Sequence, residues 1–199
     1  MPSHLLAALS KEQEDLLPSH KLNLNYILKH WYVEEGDKAY ITLDDDKNLG
    51  AIAFMLRTLL DSPLYSNYQV HAEKLANALL SMQHDDGSFD AIYDNNYSNK
   101  NGSLVFYSGE AILALVDYYL ITKQNKILAA AIKSQNFYID QYVNNEHKLY
   151  QSYLVPWHTQ SLNKLYKITQ DSTFSDALFV LNDKLLSIQN TESSAYLDK

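Results

Sequence analysis

Three short stretches hold the residues best suited to chemistry. They are Asp44-Asp45-Asp46 with Asn48, Tyr107-Ser108 with Glu110, and Trp157-His158 with Gln160. A pair of carboxyls can divide acid/base work on a polyol if one stays protonated while the other is ionised. Asp45 or Asp46 is the expected first partner and Glu110 the second, with His158 as proton shuttle. Tyr107, Tyr153 and Trp157 offer flat faces on which a sugar ring stacks, and Asn48 and Gln160 offer polar groups beside them. Each also has an ordinary duty. Aspartate caps a helix start and glutamate suits its first turn, while His158 beside Trp157 can simply pack.

These stretches matter because a repeated unit places them alike. An outer amphipathic helix is followed by a polar loop with aromatic residues, then by an inner helix that is apolar on most sides. The pairs are Tyr26–Glu34 with Asn48–Leu60, Tyr68–Gln83 with Gly109–Thr122, and Asn125–Tyr142 with Trp157–Thr169. A fourth outer helix, Phe174–Gln189, follows. Parallel inner helices would open their first turns at one end of a bowl, bringing the three stretches together. Leu24, Ile27, Leu28 and Trp31 predict a helix over 20–35 that Gly36 ends. The segment DKAYITL, residues 37–43, alternates like a strand. Asp86-Gly87 marks a turn, and Pro156 falls near the start of the third inner helix. An N-terminal arm over 1–19 and one helical domain over 20–199 are expected.

Composition narrows the function. The chain has 199 residues, 46% apolar, with net charge -8 and no cysteine. Phosphate binding needs clustered Lys and Arg, so nucleic acid is not an expected partner. Thiolate metal sites and disulfides are excluded. Residues 1–19 show neither a basic lead nor a sustained apolar run, and no membrane span is present, so the cytoplasm is the default expectation. Tyrosine stands out at 16 residues. No phosphate-binding glycine loop or nucleophile elbow occurs, and no cofactor is expected.

Leu79–Phe89, LLSMQHDDGSF, resembles the Q-x-x-D-G-S-F turn of α/α toroids such as terpenoid cyclases and protein prenyltransferases. Asp45-Asp46-Lys47-Asn48-Leu49-Gly50-Ala51 resembles the lead-in to an inner helix of six-hairpin carbohydrate enzymes, and Tyr107-Ser108-Gly109-Glu110-Ala111 is similar to Tyr-x-x-Gly-Glu-Ala openings in that group. The likeness spans residues 20–189 and implies an all-α fold, an α/α toroid. Three and a half hairpins make an incomplete ring, so self-association or a missing partner half is expected to close it. The implied function is acid/base chemistry on a sugar or oligosaccharide by a hydrolase, epimerase or lyase. A non-catalytic repeat scaffold binding protein or glycan on its concave face is the alternative. An isoprenoid cyclase relative is a third reading, which the sequence serves poorly because neither D-D-x-x-D nor D-x-D-D is present.

Overall fold

A computed structural model of the chain describes residues 2–43, 46–93, 102, 104, 106–144 and 152–189. Within them lie the helices α1 (Pro2–Leu9), α2 (Leu17–His30), α3 (Leu49–Leu60), α4 (Gln69–Ser81), α5 (Ser108–Thr122), α6 (Asn125–Ile139), α7 (Val155–Thr169) and α8 (Ser172–Ser187). Three helices form the inner wall, with α3 packed on α5 and α5 on α7. Outer helices α4, α6 and α8 each pack on the inner helix before them in the chain. This is the expected all-α, incomplete toroid.

The inner helices are the most apolar surfaces of the chain. Ile52, Leu56, Leu59, Ile112, Leu115, Leu162 and Leu165 have no solvent exposure. Each such side chain taken out of water stabilises the fold by about 1.5–3 kcal/mol. Outer helices keep one buried stripe, such as Ala72, Leu75, Ala76 and Leu79 of α4.

A charged layer fixes the inner helices against one another. Arg57 Nε donates to Asp117 Oδ2 at 3.1 Å, and Lys164 binds the other oxygen of the same carboxylate. These residues stand eight or nine positions beyond the first residues of α3, α5 and α7, so the three helices are parallel and in register.

The first outer helix departs from expectation. It stops at His30, and Tyr32–Glu35 is strand β1, paired antiparallel with β2 (Lys38–Leu43), which in turn pairs with β3 (Asp46–Lys47). Val33, Glu34 and Glu35 are exposed, so they offer no apolar stripe to hold another helical turn. Gly36, at φ +63°, makes the hairpin turn between β1 and β2 rather than ending a helix. Helix α2 begins at Leu17, and α1 lies against α3. His4 anchors it at 2.6 Å from Asp61 Oδ2, holding that carboxyl down at about 2.

Gln83-His84-Asp85-Asp86-Gly87-Ser88-Phe89 proves to be a clamp between α4 and α6. Gln83 Nε2 donates to the Ala130 carbonyl and to Ser134 Oγ, at 2.8 and 2.6 Å. Ser134 in turn donates to the Gly87 carbonyl, and Ser88 donates through N–H and O–H to Asp86 Oδ1. Gly87 has φ +95°, and a Cβ there would stand 2.6 Å from the Lys133 carbonyl oxygen. Only glycine meets both conditions. Phe89 is fully buried, and the chain then runs past the start of α3, with Leu49 N–H donating to Ala91 O and Tyr93 N–H to Lys47 O.

Candidate active site

The starts of the inner helices meet, and two glycines make the approach possible. Gly50 is the second residue of α3, and the ring of Tyr107, which caps α5, lies directly against it. Gly109 is the second residue of α5; a Cβ there would be 2.6 Å from Trp157 Cβ, in the first turn of α7. The first two inner helices thus each present a bare backbone to the aromatic residue opening the next. Phe54 completes the contact across the set, with its ring 5.3 Å from that of Trp157 in an edge-to-face pose. Tyr107 holds φ +70°. That conformation costs a non-glycine residue about 1 kcal/mol or more and concentrates at functional sites.

Glu110 lies in this junction. It occupies the third position of α5, is 7% exposed, and its Oε2 has no hydrogen-bond partner among the described residues. Burial pushes its carboxyl up to about 7, against a hydrogen bond from its own backbone and the positive charge of Arg57. The helix dipole also favours the anion at this position, yet desolvation prevails. The result is a carboxylic acid that keeps its proton near neutrality, as a general acid requires.

An aromatic shelf adjoins it. Phe106 stacks on Tyr153 at 6.0 Å and 16°, and both rings are nearly half exposed. The Tyr153 phenol is raised by burial and by the negative charges of Glu110 and Tyr107, so these groups share one neighbourhood. On the other side of Tyr107 a cleft of about 310 Å³ opens between α2 and α3, walled by Trp31, Ile41, Phe54 and Met55.

The other expected site residues fall differently. His158 is fully buried, and burial lowers its pKa to about 3. A histidine sealed in the neutral form cannot carry protons to or from solvent, which corrects its expected role as shuttle. Asn48, not the acidic run, caps α3: its Oδ1 accepts from Gly50 N–H at 2.9 Å and Ala51 N–H at 3.2 Å. Asp46 is exposed on β3, two residues before that cap, while Asp44 and Asp45 lie outside the described residues. Gln160 is exposed and donates to Pro156 O of its own helix. Trp157 is half-buried against Phe54.

Sequence reasoning missed Phe106, Phe54 and Arg57. A signal for the junction is nonetheless present: Gly50 and Gly109 stand at the same helical position in successive units, two residues beyond the cap. Among the described residues, no group of three or more His, Asp or Glu side chains is arranged to hold a metal. No helix there is long and apolar enough to cross a membrane.

Comparison with known proteins agrees with this architecture. The family model of the β-L-arabinofuranosidase GH127 catalytic domain matches residues 44–193. Among solved structures, the GH76 α-mannanase BT2949 of Bacteroides thetaiotaomicron superposes with TM-score 0.72 at 15% identity, over 95% of this chain and 59% of that one. The Lin0763 protein of Listeria innocua gives TM-score 0.72 at 15% identity, over 92% and 58%. The chain therefore spans about three fifths of the length of these toroids. No curated protein matches the chain significantly. With three quarters of its residues matched by that model, the chain belongs to the family of the β-L-arabinofuranosidase GH127 catalytic domain.

Proposed function

We propose that the chain carries glycosidase-type acid chemistry on a sugar or oligosaccharide, with Glu110 as the general acid. The observation behind this is a buried carboxyl, holding its proton to about pH 7, beside the exposed Phe106–Tyr153 shelf. In such a step the Glu110 proton passes to the glycosidic oxygen as the bond from that oxygen to the anomeric carbon breaks. Positive charge then grows on the sugar ring, and an ionised carboxylate on the other face either attacks the anomeric carbon or activates a water that does. Asp45 and Asp46 are the candidates for that second role, since the segment carrying them runs directly into the α3 cap. Tyr107, Tyr153 and Trp157 supply stacking faces for the sugar.

Substrates named for the relatives define the assay. Aryl β-L-arabinofuranosides, aryl α-mannosides and a panel of oligosaccharides are incubated with the protein, and released phenol and new reducing ends are measured. The wild type is expected to release product from at least one. Glu110→Gln, nearly isosteric but with no acidic proton, is expected to lower kcat by roughly 100-fold or more with the helical signal intact. Asp45→Asn or Asp46→Asn is expected to do likewise. Activity retained in Glu110→Gln would remove this site from the reaction. Glycan binding with no product from any substrate would favour the scaffold.

A further inference from the structure

Beneath the aromatic shelf runs a buried chain of polar groups that the acid chemistry does not use. Ser161 Oγ donates to Gln135 Oε1 at 2.7 Å, and Gln135 Nε2 lies 3.2 Å from His158 Nδ1. His158 Nε2 lies 3.2 Å from Ser108 Oγ. Ser108 is also hydrogen-bonded to the phenol of Tyr142, whose O–H donates to the Leu104 carbonyl at 3.0 Å. Ser161, Gln135, His158, Ser108 and Tyr142 are all buried to 99% or more. Polar groups drawn from three helices and the segment after α6 are expensive to bury unless each bond is made.

Their donors and acceptors fix a direction. With Gln135 placed so that Oε1 faces the Ser161 hydroxyl, which also lies 3.0 Å from the His158 carbonyl, and Nε2 faces the imidazole, Nδ1 of His158 accepts and its proton sits on Nε2. That N–H then donates to Ser108 Oγ. Because Tyr142 spends its own proton on Leu104, the Ser108 hydroxyl is left to donate to the Tyr142 oxygen. In this arrangement the protons point from Ser161 through Gln135, His158, Ser108 and Tyr142 to the Leu104 carbonyl in the segment entering α5. An imidazolium would need an acceptor at both nitrogens, and Gln135 presents a donor to one of them.

Ser108 is the first residue of α5, and Glu110 is two residues further on. On the same edge of the ring, His158 Cδ2 stands 3.2 Å from where a Gly109 Cβ would be. The histidine thus grips the turn that carries the acid, by a hydrogen bond before it and by contact with Gly109. We infer that His158 is a positioning residue, a neutral Nε2–H tautomer that holds the first turn of α5 and thereby keeps Glu110 in its dry seat. This rests on the reading of Glu110 as the acid, although the tautomer itself can be tested apart from any activity.

The groups around the acid define what else could move it. Arg57 reaches it from α3, Tyr107 and Ser108 belong to its own helix start, Tyr142 follows α6, and Tyr153 precedes α7. Tyr142 also packs edge-to-face on His158, with ring centroids 5.4 Å apart, so a substitution at position 158 reaches Glu110 through Ser108, Tyr142 and the helix turn.

The test is nitrogen-15 NMR of the histidine side chains in the whole protein, with carbon-13 detection of the Glu110 carboxyl. In the wild type His158 is expected to show a protonated Nε2 and a bare Nδ1 from pH 5 to 8. A proton on Nδ1, or a titration near 6, would overturn the inference. His158→Gln can keep a donor towards Ser108, whereas His158→Leu fills similar space without one. The Gln variant is expected to leave the Glu110 titration midpoint within half a unit, and the Leu variant to lower it by at least one unit as water reaches the loosened turn. If neither variant moves the midpoint, His158 does not position Glu110. If the Leu variant fails to fold, Ser108→Ala, which removes the same hydrogen bond from its other end, is expected to lower the midpoint by at least one unit instead, and an unmoved midpoint there would overturn the inference. Loss of glycoside cleavage in Glu110→Gln is a separate readout, so failure of the functional reading would not be confused with failure of this one.

Discussion

Glu110 sits where two opposing influences meet, and their balance is measurable as stability. A helix start and the Arg57 guanidinium favour the anion, while burial favours the acid and wins. Its folded pKa, about 7, lies above the ordinary 4.5. Between those values the folded state therefore binds more protons than the unfolded chain, and stability falls as pH rises. The contribution is fully present below the unfolded value and is lost through about 7. It amounts to roughly 3 kcal/mol across the window, as an upper estimate from about 1.4 kcal/mol per unit. Urea unfolding at pH 5 and pH 8 is expected to show wild type losing stability while Glu110→Gln loses much less. Parallel losses in the two proteins would mean that Glu110 is ionised in the fold.

At the scale of elements, glycines and one carboxylate decide how helices meet. Gly87 carries both a positive φ and a backbone oxygen at 2.6 Å from any Cβ, whereas Gly36 has positive φ and open space around it. Gly87→Ala is expected to cost about 2–4 kcal/mol and Gly36→Ala about 1 kcal/mol, the difference being the collision with α6. Thermal melts of the two variants check this, and equal losses would show that the clamp can yield. Asp117 serves two cations from neighbouring inner helices. Asp117→Asn, which strands Arg57 in a buried place, is expected to cost about 3 kcal/mol; a loss below about 1 kcal/mol would show that water already solvates the layer. Much of this level is legible in the residues. Apolar periodicity locates the inner helices to within a residue or two at Leu49–Leu60 and Ser108–Thr122, because burial on nearly every side leaves few alternatives. The end of α2 is not legible, since Trp31 continues the apolar spacing past His30 and the competing β1–β2 pairing lies beyond the reach of helical periodicity. The environment of His158 escapes the sequence for a related reason. Its neighbours along the chain do not reveal its partners Gln135 and Ser108, nor the burial that keeps it neutral.

Across the whole molecule, the ring geometry places a buried carboxyl among the starts of the inner helices. The three inner helices run parallel, and their starts meet through Gly50 against Tyr107 and Gly109 against Trp157, residues drawn from positions more than a hundred apart. Relatives of the same architecture are longer, with this chain matching 58–59% of them. Outer helix α8 and its end show apolar Phe179, Leu186 and Ile188 to solvent. What the existing wall must already do is exclude water from the Glu110 carboxyl. Carbon-13 titration of that carboxyl in the intact wild-type protein reads this directly. A midpoint near 7 is the expected result, and a midpoint at the ordinary 4.5 would mean that the junction is wet and the acid has no proton to give.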